Sequence, residues 1–403
     1  MTGHRLIAPG DDHGRSRPLR VLTLVDGIGT YGGAESLSRR LVQRLDGERF
    51  ERTFCVSRWD PAEAAEPLAA GALAELEAAG VEFIGLERYG RPALRPWGKL
   101  IAHLRSKPVD ILHAHKFGSN AWGAVVAPLA RVPVFIAHEH SWAFEGKPLR
   151  RLLDRQLIAR SADVIVAVSA EDRRRMIEIE HIPEELIELI PNGIADPPPD
   201  EEGDVRAELG IDPGAPVIGT VATLRPYKGV DVLIDAASRL VRDHPDLRVL
   251  VAGGDEGGNT SLREELRRQI AALGLEDAVL LLGFREDVPA VVRAMDVAVC
   301  PSDFEGSPLA VMEYMEERKP VVASAVGGLP DLVQEGLTGS LVPPRDPDRL
   351  AAAISALIAD PAKREQMGAR GQELRRAKYS IDATLHRLTE LYERTAREAG
   401  IDA

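Results

Sequence analysis

The feature that most limits what this chain can fold into is a repeated alternation of short apolar runs with longer stretches of helical periodicity. Residues 20–25 read RVLTLV, the pattern of a buried strand, and 35–45 then carry Leu37, Leu41 and Leu45 at helical spacing. Further strand candidates lie at 53–57, 81–85, 109–113, 134–138 and 164–168, with helical stretches such as 62–79 and 149–161 between most of them. This β-α-β-α order predicts a parallel sheet with helices on both faces. The order pauses at 191–200 (PNGIADPPPD), where three consecutive prolines can continue neither a helix nor a central strand. It restarts with strand candidates at 217–224, 247–252, 279–282, 297–300, 321–323 and 339–342, and helical patterns close the chain from Asp346 onward. The expectation is an α/β protein of two similar domains joined near Pro191. Open parallel sheets bind ligands beyond the carboxyl ends of their strands, so two of them imply a cleft.

Composition narrows the class. A length of 403 residues fits more than one ordinary domain. With 63 acidic and 50 basic residues the net charge is −13, which argues against a protein whose main task is coating nucleic acid. Two cysteines, Cys55 and Cys300, are too few for a disulfide scaffold or a cysteine-built zinc site, and they suit a reducing compartment. No run approaches the roughly 18 apolar residues of a membrane helix. Residues 1–18 are polar and lack the apolar core of an export signal, so they read as a flexible tail and the expected location is the cytoplasm.

The densest chemical signal is 300–314, CPSDFEGSPLAVMEY, which follows a strand and opens a helix. Ser307 is a favoured N-cap and Pro308 a favoured first helical residue. Gly306 admits close approach to the backbone, and the free N–H groups of the helix start suit a phosphate. Glu305 and Glu313 flank that start. A carboxylate is electrostatically wrong for phosphate itself but suits sugar hydroxyls beside it. An ordinary capped helix with solvent-facing glutamates would read the same way. Residues 225–229, RPYKG, put Arg225 and Lys228 at a strand end, a planar fork and a point charge that fit a diphosphate. In the first half, Gly32 and Gly33 precede a helix and can present backbone amides. Neither this loop nor the one at 252–258 has the spacing of the dinucleotide fingerprint.

His113-Ala-His115 and His138-Glu-His140 both end strands, and alternate residues share one side of a strand. The two pairs, with Glu139 nearby, raise a metal site as one reading; hydrogen-bonding histidines are the other, and no metal is assigned. Asp346-Pro-Asp348 reads as a helix-entry turn. Arg173–Arg175, and Arg150, Arg151, Arg155 and Arg160, read as solvated helix faces, with a patch for an anionic membrane surface as the sharper alternative.

Taken together, these segments resemble glycosyltransferase family 4, the retaining group 1 glycosyltransferases of GT-B fold, from about residue 20 to about residue 380. The matching pieces occur in family order: Gly32-Gly33-Ala34-Glu35, Pro191-Asn192-Gly193, Arg225 with Lys228-Gly229, Leu282-Gly283-Phe284, Glu305 through Glu313, and Gly327-Gly328. The resemblance implies two Rossmann-like domains facing each other across a cleft. It implies an acceptor domain at 19–191, a donor domain at 192–378, and a C-terminal helix at 379–403 packing back on the first domain. It implies transfer of a sugar from a UDP- or GDP-sugar to a hydroxyl of a glycan, lipid-linked or small-molecule acceptor, without a metal or other cofactor. Such chemistry belongs to polysaccharide biosynthesis, in the cytoplasm or at the inner face of the plasma membrane.

By the same resemblance Arg225 and Lys228 neutralise the diphosphate, Glu305 contacts sugar hydroxyls, and Glu313 binds ribose. Gly306, Ser307, Pro308 and Leu309 touch sugar and phosphate. Gly283 and Phe284 hold the base, Gly32 and Gly33 approach the phosphates, and His140, or His138 in its place, lies near sugar and acceptor. Two departures stand out: Phe304-Glu305-Gly306 replaces Glu-Phe-Gly, and Tyr314 stands where Ala is usual. A nucleotide-sugar epimerase of the same fold and an inactive nucleotide-sugar-binding protein are the alternative readings.

Overall fold

A computed structural model describes residues 17–28, 33–88, 93–141, 147–197, 203–255 and 260–402. The strands form two parallel sheets. The first contains β1 (Leu19–Val25), β2 (Phe50–Val56), β3 (Glu82–Gly85), β4 (Ile111–His115), β5 (Val134–Glu139), β6 (Val164–Ala167) and β7 (Ile187–Leu189), in the order β3-β2-β1-β4-β5-β6-β7. The second contains β8 (Val217–Val221), β9 (Arg248–Ala252), β10 (Val279–Gly283), β11 (Val297–Cys300), β12 (Val321–Ser324) and β13 (Gly339–Val342), in the order β10-β9-β8-β11-β12-β13. Helices cover both faces, which is why the central strands are continuous apolar runs: Val21, Leu22, Leu24 and Val25 of β1 are all fully buried. Strand order reverses between β1 and β4 and between β8 and β11, so a crevice opens at each of those carboxyl ends.

Several elements differ from the sequence pattern for local reasons. β7 was not anticipated, because three residues carry too little periodicity. The helical stretch 62–79 divides into a 3₁₀ turn, Pro61–Ala65, and a helix, Pro67–Ala78, since Pro67 lacks the N–H needed to continue a helix. The stretch 149–161 runs as a helix (Pro148–Leu153), a π turn (Asp154–Ile158) and a short helical end (Ala159–Ser161). β8 stops at Val221, and Leu224 makes only an isolated bridge to Asp255. Asp346 caps the helix Pro347–Ile358 by accepting from the Arg349 N–H at 2.9 Å.

The chain crosses between the sheets twice, and the crossings pair. Ile194 donates its N–H to Tyr379 O at 3.0 Å, and Ile381 returns one to Ile194 O at 2.9 Å. The Thr384 hydroxyl donates to Pro191 O at 2.9 Å. The second crossing leads into the helix Ile381–Glu398, whose Leu388, Leu391, Tyr392 and Ala396 join the core built on β1 and β2. The spacing of those residues makes one apolar stripe.

Gly193 is the point of closest approach: a Cβ there would lie 2.2 Å from Ser380 O. Gly193→Ala is therefore expected to cost about 1–3 kcal/mol of stability. Gly71, exposed in the interior of the helix Pro67–Ala78 with no atom near its missing Cβ, is the control. Gly71→Ala should be neutral or gain up to about 1 kcal/mol. Denaturant melts of the two variants check this, and equal stability at Gly193 would refute the account of the crossing.

Candidate functional site

The loops after β8 and β11 meet at the reversal point of the second sheet. The 3₁₀ turn Pro226–Lys228 ends at Gly229, whose φ of +68° places it in the left-handed region. A Cβ there would lie 2.0 Å from Pro301 O, so glycine is what lets the two loops touch. The Asp303 N–H donates to Tyr227 O at 2.8 Å, and the Tyr227 and Phe304 rings stack at 4.4 Å. Lys228 Nζ then reaches Glu305 Oε1 at 2.6 Å, and the Ser302 hydroxyl donates to the same oxygen at 2.7 Å. Burial works against the Lys228 ammonium, but Glu305 outweighs it and raises the pKa above the ordinary lysine value. Arg225 Nη1 donates to the Tyr227 hydroxyl at 3.0 Å. Arg225, Lys228 and Glu305 thus form one charged cluster at a strand-end crevice.

The first domain faces this cluster through backbone contact. A Cβ on Gly306 would lie 2.2 Å from His140 O, and one on Gly328 would lie 1.8 Å from Gly306 O and 2.7 Å from Ser169 Cβ. Asn192 Nδ2 donates to Ser307 O at 2.9 Å, and Ala170 N–H donates to Asp331 Oδ2 at 3.0 Å across the cleft. Leu309 packs against both the first-domain core and the second-domain core, and lies 3.5 Å from the Cβ position of Gly33. Glu35, also on the helix Gly33–Arg44, is buried and accepts from Lys116 Nζ at 2.5 Å.

The helix start differs from expectation. The helix is Leu309–Glu316, Pro308 is its N-cap with extended backbone, and no side chain caps it. Ser307 stands one residue before the cap, and its carbonyl accepts from Asn192. Further along, the Glu313 carboxyl is half-buried, makes no hydrogen bond among the described residues, and has its pKa raised by burial, partly opposed by Arg40. Tyr314 is buried and its hydroxyl accepts from Val221 N–H at 2.6 Å, which clamps this helix to the end of β8. Gly283 ends β10 at a φ of +73°, and Phe284 beside it stays 47% exposed. Gly32 lies outside the described residues.

The histidines sit on one face of neighbouring strands, because His115 pairs with His138 in register. His140 Nε2 lies 3.0 Å from His115 Nδ1, and burial, then Lys116 and His113, push its pKa down to about 3. Its carbonyl meets Gly306, whereas the His138 side chain is fully buried one layer behind. Glu139 points to the opposite face and accepts from Asn120 Nδ2 at 2.6 Å, so it does not join the histidines. Arg174 pairs with Glu171 and Glu178 on its own helix, in line with a solvated face. Sequence reasoning missed Ser302, Tyr227, Asn192 and Asp331 as partners. Ser302 alone left a signal, three residues before Glu305.

Residues 31–196 match the family model Glycosyltransferase Family 4, and residues 201–374 match Glycosyl transferases group 1. The chain belongs to the GT-B glycosyltransferases. It is 34% identical over 230 residues to D-inositol 3-phosphate glycosyltransferase of Nocardia farcinica, covering 56% of this chain and 51% of the relative. It is 30% identical over 261 residues to alpha-D-kanosaminyltransferase of Streptomyces kanamyceticus, covering 63% and 65%. The matches thus span about half to two thirds of these relatives. Among solved structures, Anabaena HepE in complex with UDP and glucose superposes with a TM-score of 0.80 at 24% identity, covering 93% of this chain and all of that one. Sucrose-phosphate synthase from Thermosynechococcus elongatus superposes at 0.76 with 22% identity, covering 93% and 98%. The fold is GT-B: two Rossmann-like domains across a cleft.

Because Gly306 touches the facing domain through its missing Cβ, Gly306→Ala should hold the cleft open. The expected readout is faster amide exchange in the peptide beginning at Ser169, whose Ala170 N–H is held by Asp331. Unchanged exchange there would remove Gly306 as a closure contact.

Proposed function

We propose that this protein transfers a sugar from a nucleoside diphosphate sugar to an acceptor hydroxyl with the anomeric configuration retained. The observation that carries the reading is the Lys228–Glu305–Ser302 cluster, with Arg225 beside it, at the second sheet's reversal point and opposite His140. UDP is the nucleotide favoured, since HepE was solved with UDP and glucose at this fold. Arg225 and Lys228 would take the diphosphate, doing the charge work that a metal ion does elsewhere. Glu305, already holding Lys228, would orient sugar hydroxyls beside the phosphates. Glu313, with no hydrogen bond among the described residues, is available to ribose, and exposed Phe284 to the base.

In the step, the C1–O bond to the diphosphate breaks and its electron pair stays on the leaving oxygen. The acceptor oxygen bonds C1 on the same face, and its proton passes to the departing phosphate. Covalent catalysis would instead need a carboxylate on the opposite face of the sugar. Glu305 is paired with Lys228 on the phosphate side, so same-face attack is the simpler reading. Lys228→Ala should lower kcat at least about tenfold, equivalent to roughly 1.4 kcal/mol of barrier. Near-normal turnover would sink the assignment. Incubation with donor alone separates transfer from epimerisation, because an epimerase yields an isomeric nucleotide sugar.

The acceptor reading rests on a different surface. The helix Pro148–Leu153 leaves Leu149, Leu152 and Leu153 exposed by 67%, 55% and 36%, flanked by exposed Lys147 and Arg155. Apolar side chains ringed by cations suit an anionic bilayer. This favours a lipid-linked acceptor at the inner face of the plasma membrane, in polysaccharide assembly. Among the described residues no helix is long and apolar enough to cross a membrane. Flotation with anionic vesicles at low salt should carry the protein upward, and Leu149→Glu with Leu152→Glu should abolish it. Absence of flotation would return the acceptor to soluble glycosides.

A further inference from the structure

The histidines behind His140 have no assigned task, and their geometry poses a problem of proton accounting. His113, His115 and His138 are at most 2% exposed, and burial, followed by neighbouring imidazoles, holds all three well below the ordinary histidine pKa. They are neutral, with one N–H and one lone pair each. His113 Nδ1 lies 2.6 Å from the Tyr392 hydroxyl, and His113 Nε2 lies 3.2 Å from His138 Nδ1. If the tyrosine donates, His113 passes its Nε2 proton toward His138, whose own proton then sits on Nε2. If the tyrosine accepts, His138 donates from Nδ1, and its Nε2 is a bare lone pair. Both tautomers leave His138 Nε2 buried and unsatisfied, and that atom has no partner among the described residues. His140 Nδ1 is in the same condition. Each such group costs about 1–3 kcal/mol if left so.

We propose that His113, His115 and His138 bind a divalent transition-metal ion of the zinc, cobalt or nickel type. One nitrogen from each ring lies within 4.8 Å of the others. Nitrogens within 4.8 Å of one another lie at most about 2.8 Å from their centre, so bonds of about 2.0–2.1 Å would require an inward movement of at most about 0.7 Å, within reach of ring rotation. With the ion bound, His113 Nε2 and His138 Nδ1, 3.2 Å apart, both present lone pairs to it, no proton lies between them, and the His138 proton sits on Nε2. The Tyr392 hydroxyl then accepts from His113 Nδ1–H and fixes that ring, the outer-shell contact metal-bound histidines use. The donor set is neutral imidazole, because Glu139 faces away; this suits borderline ions and not magnesium or calcium. Thr23, Ser38 and Tyr392 line the same small cavity as His113 and His115. The site lies on the first domain's sheet and is separate from the Arg225–Lys228 cluster. Its effect would be to join β4 and β5 beneath His140 and, through Tyr392, the helix Ile381–Glu398.

The test is a Co(II) titration of tag-free, chelator-stripped protein in which His4 and His13 of the tail are replaced by alanine. One equivalent should bind with the intense visible absorption of a near-tetrahedral site, and Zn(II) should displace it while raising the melting temperature by several degrees. His138→Gln and His113→Asn, each checked for fold by circular dichroism, should weaken binding at least tenfold. Tyr392→Phe keeps all three ligands and should weaken it about tenfold through loss of the outer contact. Tyr392→Phe also reports the location of the ion if the histidine variants do not fold. Absence of both the Co(II) band and the Zn(II) shift in the unsubstituted site overturns the proposal. So does a stoichiometric band indifferent to these substitutions.

Discussion

Arg375 stands where the chain passes between the two domains, and its side chain is fully buried. It pairs with Asp196 at 2.5 Å and Glu316 at 3.1 Å, and donates to Ile194 O at 2.8 Å. A guanidinium removed from water loses several kcal/mol of hydration, which only well-placed partners offset. The partners come from different places: Asp196 and Ile194 from the first crossing, Glu316 from the helix that carries Glu313. Arg375 itself ends the helix Pro361–Lys378, just before the second crossing. One cation therefore ties both crossings to the helix Leu309–Glu316, whose Leu309 packs on both cores.

From that anchor, the two reversal points are brought face to face, and contact is made by backbone. Gly306 touches the His140 carbonyl, Gly328 touches Gly306, and Leu309 belongs to both cores. Few side chains intervene, so the distance between the charged cluster and the opposite sheet is set by main-chain atoms, whose positions vary little. Lys228 and Glu305 neutralise each other on the second-domain side of this seam. Their pairing keeps a largely buried lysine charged.

Much of this was legible in the chain, and the limits have physical causes. The strand 297–300 was read to the residue, because four apolar residues between turns have one reading. The capped turn at Asp346 was likewise local chemistry. Ser307 misled because the helix begins at Leu309 with Pro308 at its cap, and the contact made by the Ser307 carbonyl comes from Asn192, 115 positions away. The pairing of Lys228 with Glu305 spans 77 positions, and nothing in either motif announces it. The histidine pairs were visible as alternation, but their convergence depends on the β4–β5 register, a property of the sheet. Tyr314, a departure from the family pattern, proved to be a clamp on Val221, since a buried phenol must find a polar partner.

The helix Ile381–Glu398 has a consequence for synthesis. It supplies Leu388, Leu391 and Tyr392 to a core whose other walls are β1, β2 and the helix Gly33–Arg44. During translation those walls emerge first, and their missing cover comes after the whole second domain. At about 5–20 residues per second the interval is roughly 15–70 s. Over that time the face holding His113 and Phe50 stays open on the ribosome. The first domain is thus born incomplete, and its last wall arrives only after the domain it must face has already been made.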